Sequence, residues 1–209
     1  MRVACGLRLG APLCQPYKCV CGSLVDSSGR HGLSCQKAKG TFPRHQQVND
    51  LLKRAMGSAQ VSAILEPPGL CRSDGKRPDG LTLFLWKEGK CLVSDYTCRD
   101  TLAPSNVSLT SQQAGHAAAK AQTDKMTHYK ELSKNFIVQP VAMETLGSWG
   151  TESLKFIREV GQRIADNFND KRATSFLLQA ISVAVQRGNV TSINVTSIKG
   201  SVTIYQVFA

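Results

Sequence analysis

The sequence lacks the features that would point to a membrane protein or a secreted one. No run of about 18 apolar residues occurs, so no segment has the length needed to span a bilayer as a helix. The start of the chain has no apolar stretch of the kind found in secretory signal peptides, and we expect a protein that is not secreted. The sequence also contains no internal repeat and no low-complexity segment.

Acidic residues are scarce compared with basic ones. The 209 residues include 26 Lys and Arg but 15 Asp and Glu, which gives a formal net charge of +11. This charge indicates a polyanionic partner, with nucleic acid favoured over an anionic membrane, although a basic surface can also serve solubility alone. Because the basic residues recur along the whole chain, we expect them to line a folded surface rather than a tail.

The chain is long enough for one ordinary domain with a buried core, or for a domain with a small appendage. It contains eight cysteines. Without a secretion signal, metal binding or free thiols are better interpretations of these cysteines than disulfides.

The hydrophobic pattern predicts an α/β domain preceded by a small module. The first 40 residues are rich in Gly, Cys and Pro and show little periodicity. The later segments indicate a helix, three strands, a helix, a strand and two helices, at 43–56, 61–65, 81–86, 91–93, 111–132, 136–143, 152–168 and 172–186. We therefore predict a module at 1–40, a domain at 41–190 with a mostly antiparallel meander at its centre, and a tail at 191–209.

Glycine and proline refine this pattern at three places. Pro140 interrupts the fourth strand, which favours an edge position or a bulge. Gly188 predicts the end of the last helix. Apolar residues that alternate about Lys199-Gly200 are consistent with a hairpin in the tail.

Two aspartates lie at the ends of neighbouring predicted strands. Asp79 belongs to Lys76-Arg77-Pro78-Asp79-Gly80, and Asp95 belongs to Ser94-Asp95-Tyr96-Thr97. Because side chains alternate between the faces of a strand, the two acids share a face if an odd number of residues connects the strands, or if a bulge intervenes. We expect the three-residue loop Lys87-Glu88-Gly89, and a five-residue loop would also bring the acids together. Paired carboxylates of this kind hold a hard divalent cation such as Mg²⁺ or Mn²⁺.

Glu66 ends the first predicted strand and is a candidate third oxygen ligand. A solvated glutamate at a strand end is an equally good interpretation of this residue. For Asp79 and Asp95 considered singly, turn-forming aspartates are the ordinary alternative.

One lysine of the long predicted helix lies on its buried face. Ala118, Ala121, Lys125 and Tyr129 recur at spacings of three and four residues. A lysine among small buried residues is costly unless it meets an anion or extends past them to solvent. We therefore expect Lys125, rather than Lys120, to approach the aspartates and to stabilise negative charge at a reacting phosphate.

A cluster of cysteines and one histidine lies in the first 40 residues. Cys19 and Cys21 are followed, after nine residues, by His31 and Cys35. Two close pairs of this type can supply the tetrahedral ligands of a structural Zn²⁺, and Cys14 is a rival for one of the four positions. The remaining cysteines show no such pairing and are predicted to be structural thiols: Cys5, Cys71, Cys91 and Cys98.

Other polar residues are candidates to line a groove. Arg44 and His45, at the start of the first helix, are expected either to contact phosphate or to cap the sheet. Glu144 and Thr145 follow the fourth strand, and residues 186–189 follow the last helix, where an ordinary helix end would explain them equally well.

Taken together, these motifs resemble one family, the restriction-like endonuclease region at the C-terminal end of non-LTR retrotransposon polyproteins. The resemblance covers roughly residues 5–190 and depends on the whole ensemble, since no single motif is specific. The motifs are, in chain order, Gly6-Leu7-Arg8-Leu9-Gly10, the Cys/His cluster, Arg44-His45, Glu66-Pro67, Arg77-Pro78-Asp79-Gly80, Asp95-x-Thr97, Lys125-x-x-x-Tyr129 and Glu144-Thr145.

The resemblance implies a restriction-endonuclease-like core of the PD-(D/E)XK type, preceded by a zinc knuckle. Asp79 and Asp95 would be metal acids, and Lys125 would take the lysine role from the neighbouring helix. The knuckle would consist of Cys19, Cys21, His31 and Cys35. Contacts with nucleic acid would come from Arg44, His45, Arg77, His128 and Tyr129.

A domain of this family would nick target DNA with Mg²⁺ or Mn²⁺. The freed 3′ end would prime copying of element RNA by the reverse transcriptase of the parent polyprotein, which implies the nucleus of a eukaryote. Two positions depart from the family pattern. Ser94 stands where an aromatic residue often precedes the second acid, and His128 stands where another basic residue often precedes the tyrosine.

Two other hypotheses compete with an active endonuclease. One is a nucleic-acid-binding module of the same fold whose chemistry has lapsed. The other is a purely structural zinc protein, for which DNA binding would be weak and would show no steep salt dependence.

Overall fold

A four-stranded mixed sheet lies between helices on both of its faces in the computed structural model, which describes residues 2–71, 75, 77–198 and 202. The helices are α1 (Arg2–Leu9), α2 (Thr41–Ser58), α3 (Val107–Thr110), α4 (His116–His128), α5 (Thr151–Phe168) and α6 (Ala173–Asn194). The strands are β1 (Tyr17–Lys18), β2 (Leu24–Val25), β3 (Ala63–Leu65), β4 (Gly80–Thr82), β5 (Leu92–Arg99) and β6 (Ile137–Glu144). Short 3₁₀ turns lie at Arg30–Leu33 and Leu132–Lys134.

The central sheet has the order β3-β4-β5-β6. The first three strands form an antiparallel meander, and β6 joins parallel to β5 after the crossover through α4. The predicted order of helix, three-strand meander, helix and strand is therefore confirmed, with two further helices after it. The small β1–β2 hairpin forms a separate sheet in the N-terminal module.

The alternation of side chains along β5 and β6 divides the sheet into two faces. On one face, sheet residues such as Tyr96 and Met143 pack into the main hydrophobic core with α2, α5 and α6. On the other face, Ala142 packs against Ala118 and Ala121 of α4. The small residues let α4 approach the sheet closely, which brings the side chains of that helix within reach of β5.

Pro140 lies in β6, which is an edge strand of the sheet. The predicted edge position is therefore confirmed. Proline is tolerated there because an edge strand has one side on which no ladder hydrogen bond is required.

The predicted strand 81–86 is wrong beyond Thr82. The Thr82 hydroxyl donates to the Phe84 carbonyl and accepts the Leu92 N–H, and this leaves residues 83–85 exposed. The expected three-residue loop is also wrong. Lys87 pairs with Lys90 across a two-residue turn, in which Glu88 and Gly89 both have positive φ, as a type I′ turn requires.

An outward bulge offsets the effect of that short turn. Gly80 pairs with Ser94 and Leu81 with Val93. Between the Leu81–Val93 pair and the Lys87–Lys90 pair at the turn, one side has five residues, 82–86, and the other side has two, 91–92. A turn with an even number of residues would by itself place the two aspartates on opposite faces of the sheet. Because the bulge adds three residues, an odd number, it moves Asp79 to the same face as Asp95. The same register places Asp79 opposite Asp95, by the bulged route that the loop lengths alone did not predict.

The structure corrects two helix ends. The helix predicted at 111–132 is confined to His116–His128, and Gly115 adopts a positive φ of 85° just before it. The last helix does not stop at Gly188 but continues to Asn194. Ile193 therefore belongs to α6, Val195 caps its C-terminal end, and neither lies in a strand, while Lys199, Gly200 and Ile204 lie outside the described residues.

The N-terminal module packs directly on the last helix. Val3, Leu7, Leu13 and Leu33 share a small hydrophobic cluster with Ile193 of α6. Gly32 lies so close to α6 that a Cβ atom there would be 2.7 Å from Ile193 Cα. Within the described part of the chain, no helix has the length and apolar character needed to cross a membrane.

Candidate active site

Asp79 and Asp95 converge where β4 begins beside the middle of β5. The Asp79 Oδ2 atom accepts the Tyr96 N–H at 2.7 Å, which holds the Asp79 carboxylate against the neighbouring strand. The Asp95 side chain is 5% exposed and the Asp79 side chain 16% exposed. The two acids therefore form a shielded pair in which like charges are close together.

Lys125 meets this pair from α4. Its Nζ atom lies 2.8 Å from Asp95 Oδ2, as the helix phase predicted. The position of α4 is fixed at its first turn, where the Glu144 carboxylate accepts the N–H groups of Ala117 and Ala118. Glu144 is fully buried and caps this helix. It therefore does not line a groove, and it acts on the site by holding the helix that carries Lys125.

His45 is the site residue whose role the sequence did not predict. Its Nε2 atom lies 3.1 Å from Asp79 Oδ2, and its Nδ1 atom lies 3.2 Å from the Asn49 side-chain amide. The prediction placed His45 at a phosphate or at the edge of the sheet. A helical signal was available, because His45 precedes the buried residues Val48 and Leu52 at spacings of three and four.

The pKa values of the two aspartates are shifted in opposite directions. Burial favours a higher pKa for Asp79, but the hydrogen bond and charge of His45 and the Tyr96 N–H bring that pKa below its ordinary value. Burial and the charge of Asp79 raise the pKa of Asp95, in spite of Lys125. Burial alone would lower the pKa of His45, but the hydrogen bond and charge of Asp79 raise it. His45 and Lys125 thus offset part of the charge of the two carboxylates, and the repulsion between the carboxylates acts mainly on Asp95.

The donor atoms are spaced closely enough to share one ion. One ligand atom from each of His45, Asp79 and Asp95 can be chosen so that all lie within 4.8 Å of one another. Ligands about 2.1 Å from a small divalent cation lie at most about 4.2 Å apart, so small side-chain rotations would suffice. Carboxylate oxygens are the donors that such cations prefer.

Glu66 is not part of this cluster. Its carboxylate is exposed and pairs with the guanidinium of Arg77. The Glu66 N–H donates to the Asp79 carbonyl, so the residue supports the backbone of the site while its side chain faces elsewhere.

The other predicted contact residues differ in their exposure. Arg44 is 3% exposed, and its guanidinium donates to Asn189 Oδ1 and to the Leu33 carbonyl. These internal bonds oppose its predicted contact with phosphate and make Arg44 a link between α2, α6 and the N-terminal module. Tyr129 is buried and hydrogen-bonded to Asp95, whereas His128 is exposed on α4.

The Cys/His cluster forms a second candidate metal centre. Cys19 Sγ lies 3.7 Å from Cys35 Sγ, and Cys21 Sγ lies 3.2 Å from His31 Nε2. The four ligand atoms lie within 4.8 Å of one another, and this group could hold a metal ion such as zinc. Sulfur ligands about 2.3 Å from a tetrahedral zinc are about 3.8 Å apart, which matches the Cys19–Cys35 separation.

Cys14, the rival ligand, lies outside this second cluster. Its Sγ atom faces the carbonyls of Asp26 and Ser27 at 3.7 Å. Burial raises the pKa of Cys19 to about 11, while hydrogen bonds to Ser23 lower that of Cys21 to about 6. A metal that needs thiolate ligands would therefore displace a proton from Cys19 at neutral pH.

A groove of about 620 Å³ lies beside His45. It is lined by His45 and Tyr96 and also by Ser34 and Gln36 of the N-terminal module, but neither by the two aspartates nor by the residues of the Cys/His cluster. Phe42 also lines the groove and is exposed. No model of a known protein family matches this chain, and no similar curated protein is found.

Proposed function

We propose that this chain is a metal-dependent DNA endonuclease domain with a restriction-endonuclease-like fold of the PD-(D/E)XK type, derived from a retrotransposon. The observation that carries the proposal is the convergence of Asp79, Asp95 and Lys125, with Lys125 Nζ 2.8 Å from Asp95 Oδ2. Two shielded acids that can hold a divalent cation and one ammonium group that can stabilise developing charge suit the metal-dependent hydrolysis of a phosphodiester. The resemblance in motif order supports the same conclusion.

The two aspartates would hold Mg²⁺ or Mn²⁺ through oxygen atoms. When bound, such a cation polarises the phosphate and lowers the pKa of water. Lys125 would stabilise the negative charge that develops on the attacking oxygen or on the phosphate. Tyr129, through its hydrogen bond to Asp95, would keep that carboxylate in position.

DNA as the substrate is supported by charge and by shape. The formal net charge of +11 favours a polyanion, and the groove beside His45 is lined in part by the N-terminal module. Lys37 and Lys39 are exposed on that module and would contact phosphate groups. A structural zinc at Cys19, Cys21, His31 and Cys35 would keep the module folded. Within a parent polyprotein, the nick would serve reverse transcription in the nucleus.

Nicking of supercoiled plasmid DNA tests the proposal. With Mg²⁺, the wild-type protein should convert supercoiled plasmid to the open circle, and Asp79→Ala should lower this rate by about 10³-fold or more. Asp166→Ala is the matched control, because Asp166 is an exposed acid on α5, and it should nick at the wild-type rate. DNA affinity, measured by fluorescence anisotropy, should survive in both variants. Binding by the wild type without any metal-dependent nicking would instead establish the lapsed nucleic-acid-binding module.

A further inference from the structure

His45 approaches the same carboxylate that would hold the catalytic cation. Its Nε2 atom is 3.1 Å from Asp79 Oδ2, and a ring nitrogen of His45 belongs to the cluster of possible ligand atoms that includes Asp95. Without a cation, the Nε2–H group of His45 donates to the Asp79 carboxylate. A cation placed between the acids would displace this proton to solvent and bind the freed lone pair of Nε2, with only a small movement of the ring.

The other nitrogen of the ring is already held by α2. His45 Nδ1 lies 3.2 Å from Nδ2 of the Asn49 side-chain amide, one helical turn further along. A histidine that binds a metal through Nε2 must carry its proton on Nδ1, and this proton is almost always donated to a neighbouring oxygen. Asn49 presents its amide nitrogen to Nδ1 here, and a 180° rotation of the amide would place its oxygen there, so that Asn49 accepts that proton and fixes the orientation of the ring.

Two neighbours contact the half-exposed ring of His45. It packs against Tyr96, with ring centroids 5.6 Å apart and the ring planes tilted by 52°, and Asn49 is itself buried. His45 is thus held by Asn49 at Nδ1 and by the Tyr96 ring, and its Nε2 atom faces Asp79. Glu66, the predicted third ligand, faces Arg77 instead.

We propose that His45 is the third ligand of the cation held by Asp79 and Asp95, and that its nitrogen makes the site favour Mn²⁺ over Mg²⁺. This inference rests on the proposed function, because it concerns the same cation. Mg²⁺ strongly prefers oxygen ligands and releases its water reluctantly, whereas first-row transition cations accept imidazole readily. A site with two carboxylates and one imidazole therefore favours Mn²⁺ over Mg²⁺ more strongly than a site with oxygen ligands alone. Asn49 is a positioning residue for the histidine.

Electron paramagnetic resonance of bound Mn²⁺ tests the ligand without depending on catalysis. Zinc-loaded protein is titrated with Mn²⁺, and pulsed spectra are searched for coupling between the manganese electron spin and a directly bound nitrogen. We expect this coupling in the wild type and in His128→Ala, which removes an exposed histidine of α4, and its loss in His45→Ala. In wild-type protein that carries ¹⁵N-labelled histidine, the coupling should change to that of ¹⁵N, which needs no substitution and therefore no refolding control.

The selectivity is measured by competition between Mn²⁺ and Mg²⁺. His45→Asp replaces the nitrogen with an oxygen donor, and we expect the preference for Mn²⁺ to fall by about tenfold or more. Mn²⁺ that binds to the wild type, depends on Asp95 and shows no histidine coupling would overturn the inference and leave the proposed cation site intact. Failure of the wild type to bind Mn²⁺ at all would overturn both.

Discussion

Gly188 in the last helix lies directly against Arg44 in the first long helix of the domain. A Cβ atom on Gly188 would be 2.4 Å from Arg44 Cβ and 2.9 Å from Arg44 Cα. The absence of a side chain at position 188 therefore allows α6 and α2 to cross closely. It also leaves the Arg44 guanidinium aligned with Asn189, one residue further along α6.

Replacing this glycine should destabilise the protein although alanine is the better helix former. Overpacking typically costs about 1–3 kcal/mol, and the gain in helix propensity, about 1 kcal/mol, offsets only part of it. We expect Gly188→Ala to lower the free energy of unfolding in urea by about 1–2 kcal/mol. Gly57→Ala in α2 is the control, because a Cβ there meets nothing within 4 Å, and it should be neutral or stabilising. Equal effects of both substitutions would contradict the close packing.

Removing the ammonium group of Lys125 should abolish most of the nicking activity. We expect Lys125→Met to slow Mg²⁺-dependent nicking by about 10²–10³-fold, which is the usual effect of losing one donor that stabilises developing charge. DNA affinity should change little, since one partly buried cation contributes little to a basic surface.

Lys120→Met removes the same charge from an exposed position of the same helix and is the matched control. It should nick like the wild type. Circular dichroism and urea unfolding of Lys125→Met would show whether the protein still folds when the buried Asp95 carboxylate lacks its lysine partner. If Lys125→Met nicks at the wild-type rate while folded, the catalytic role of this lysine is wrong.

Metal content should distinguish the ligands of the N-terminal centre from its neighbours. We expect the purified wild-type protein to bind one zinc ion tightly at Cys19, Cys21, His31 and Cys35, and Cys19→Ala to lose it. Cys14→Ala should keep the zinc, because the Cys14 thiol faces backbone carbonyls. Elemental analysis gives the stoichiometry, and a chelator should reduce thermal stability in the wild type and in Cys14→Ala alike. Loss of zinc from Cys14→Ala alone would reassign the fourth ligand.

The ionisation of His45 should depend on Asp79 in protein free of Mg²⁺ and Mn²⁺. Asp79 raises the pKa of His45 above its ordinary value of 6.5, and nuclear magnetic resonance titration of the ring should show this. In Asp79→Asn the pKa of His45 should fall, because the hydrogen bond to a carboxylate and its charge are lost. Because the folded-state pKa is the higher one, the stabilisation from His45 is fully present below pH 6.5 and disappears as the pH rises through the raised pKa. A His45 pKa that is unchanged in Asp79→Asn would contradict the pairing.

The helix carrying Lys125 shows how far a periodic pattern can be trusted. Small residues at spacings of three and four define the buried face of α4, and Lys125 lies on that face in the structure. The same reasoning would have placed His45 on the inner face of α2, because it is in phase with the buried residues Val48 and Leu52. Its partner could not be found in this way, since Asp79 is distant in sequence and only the packing of α2 on the sheet brings the two together.

Glycine was a poor guide to where helices end. Glycine often marks the end of a helix, but α6 continues past Gly188. The close contact with Arg44 explains the glycine instead, because only a residue without a side chain fits there. Propensity describes the isolated segment, whereas the packed molecule selects glycine for its lack of volume. At Thr82, too, tertiary contacts override the local pattern. Its buried hydroxyl bonds to the Phe84 carbonyl and to the Leu92 N–H, and β4 ends there and gives way to the bulge.

The sequence by itself determined the order of the elements, the pair of acids, the lysine and the grouping of Cys and His residues in the N-terminal module. These follow from local spacing, which fixes the face of a helix or the reach of a short loop. Only the tertiary structure decided that a three-residue excess in the segment 82–86 sets Asp79 opposite Asp95, and that His45 rather than Glu66 completes the cluster. Both depend on contacts between segments far apart in the chain, whose geometry is set by packing and not by any local pattern.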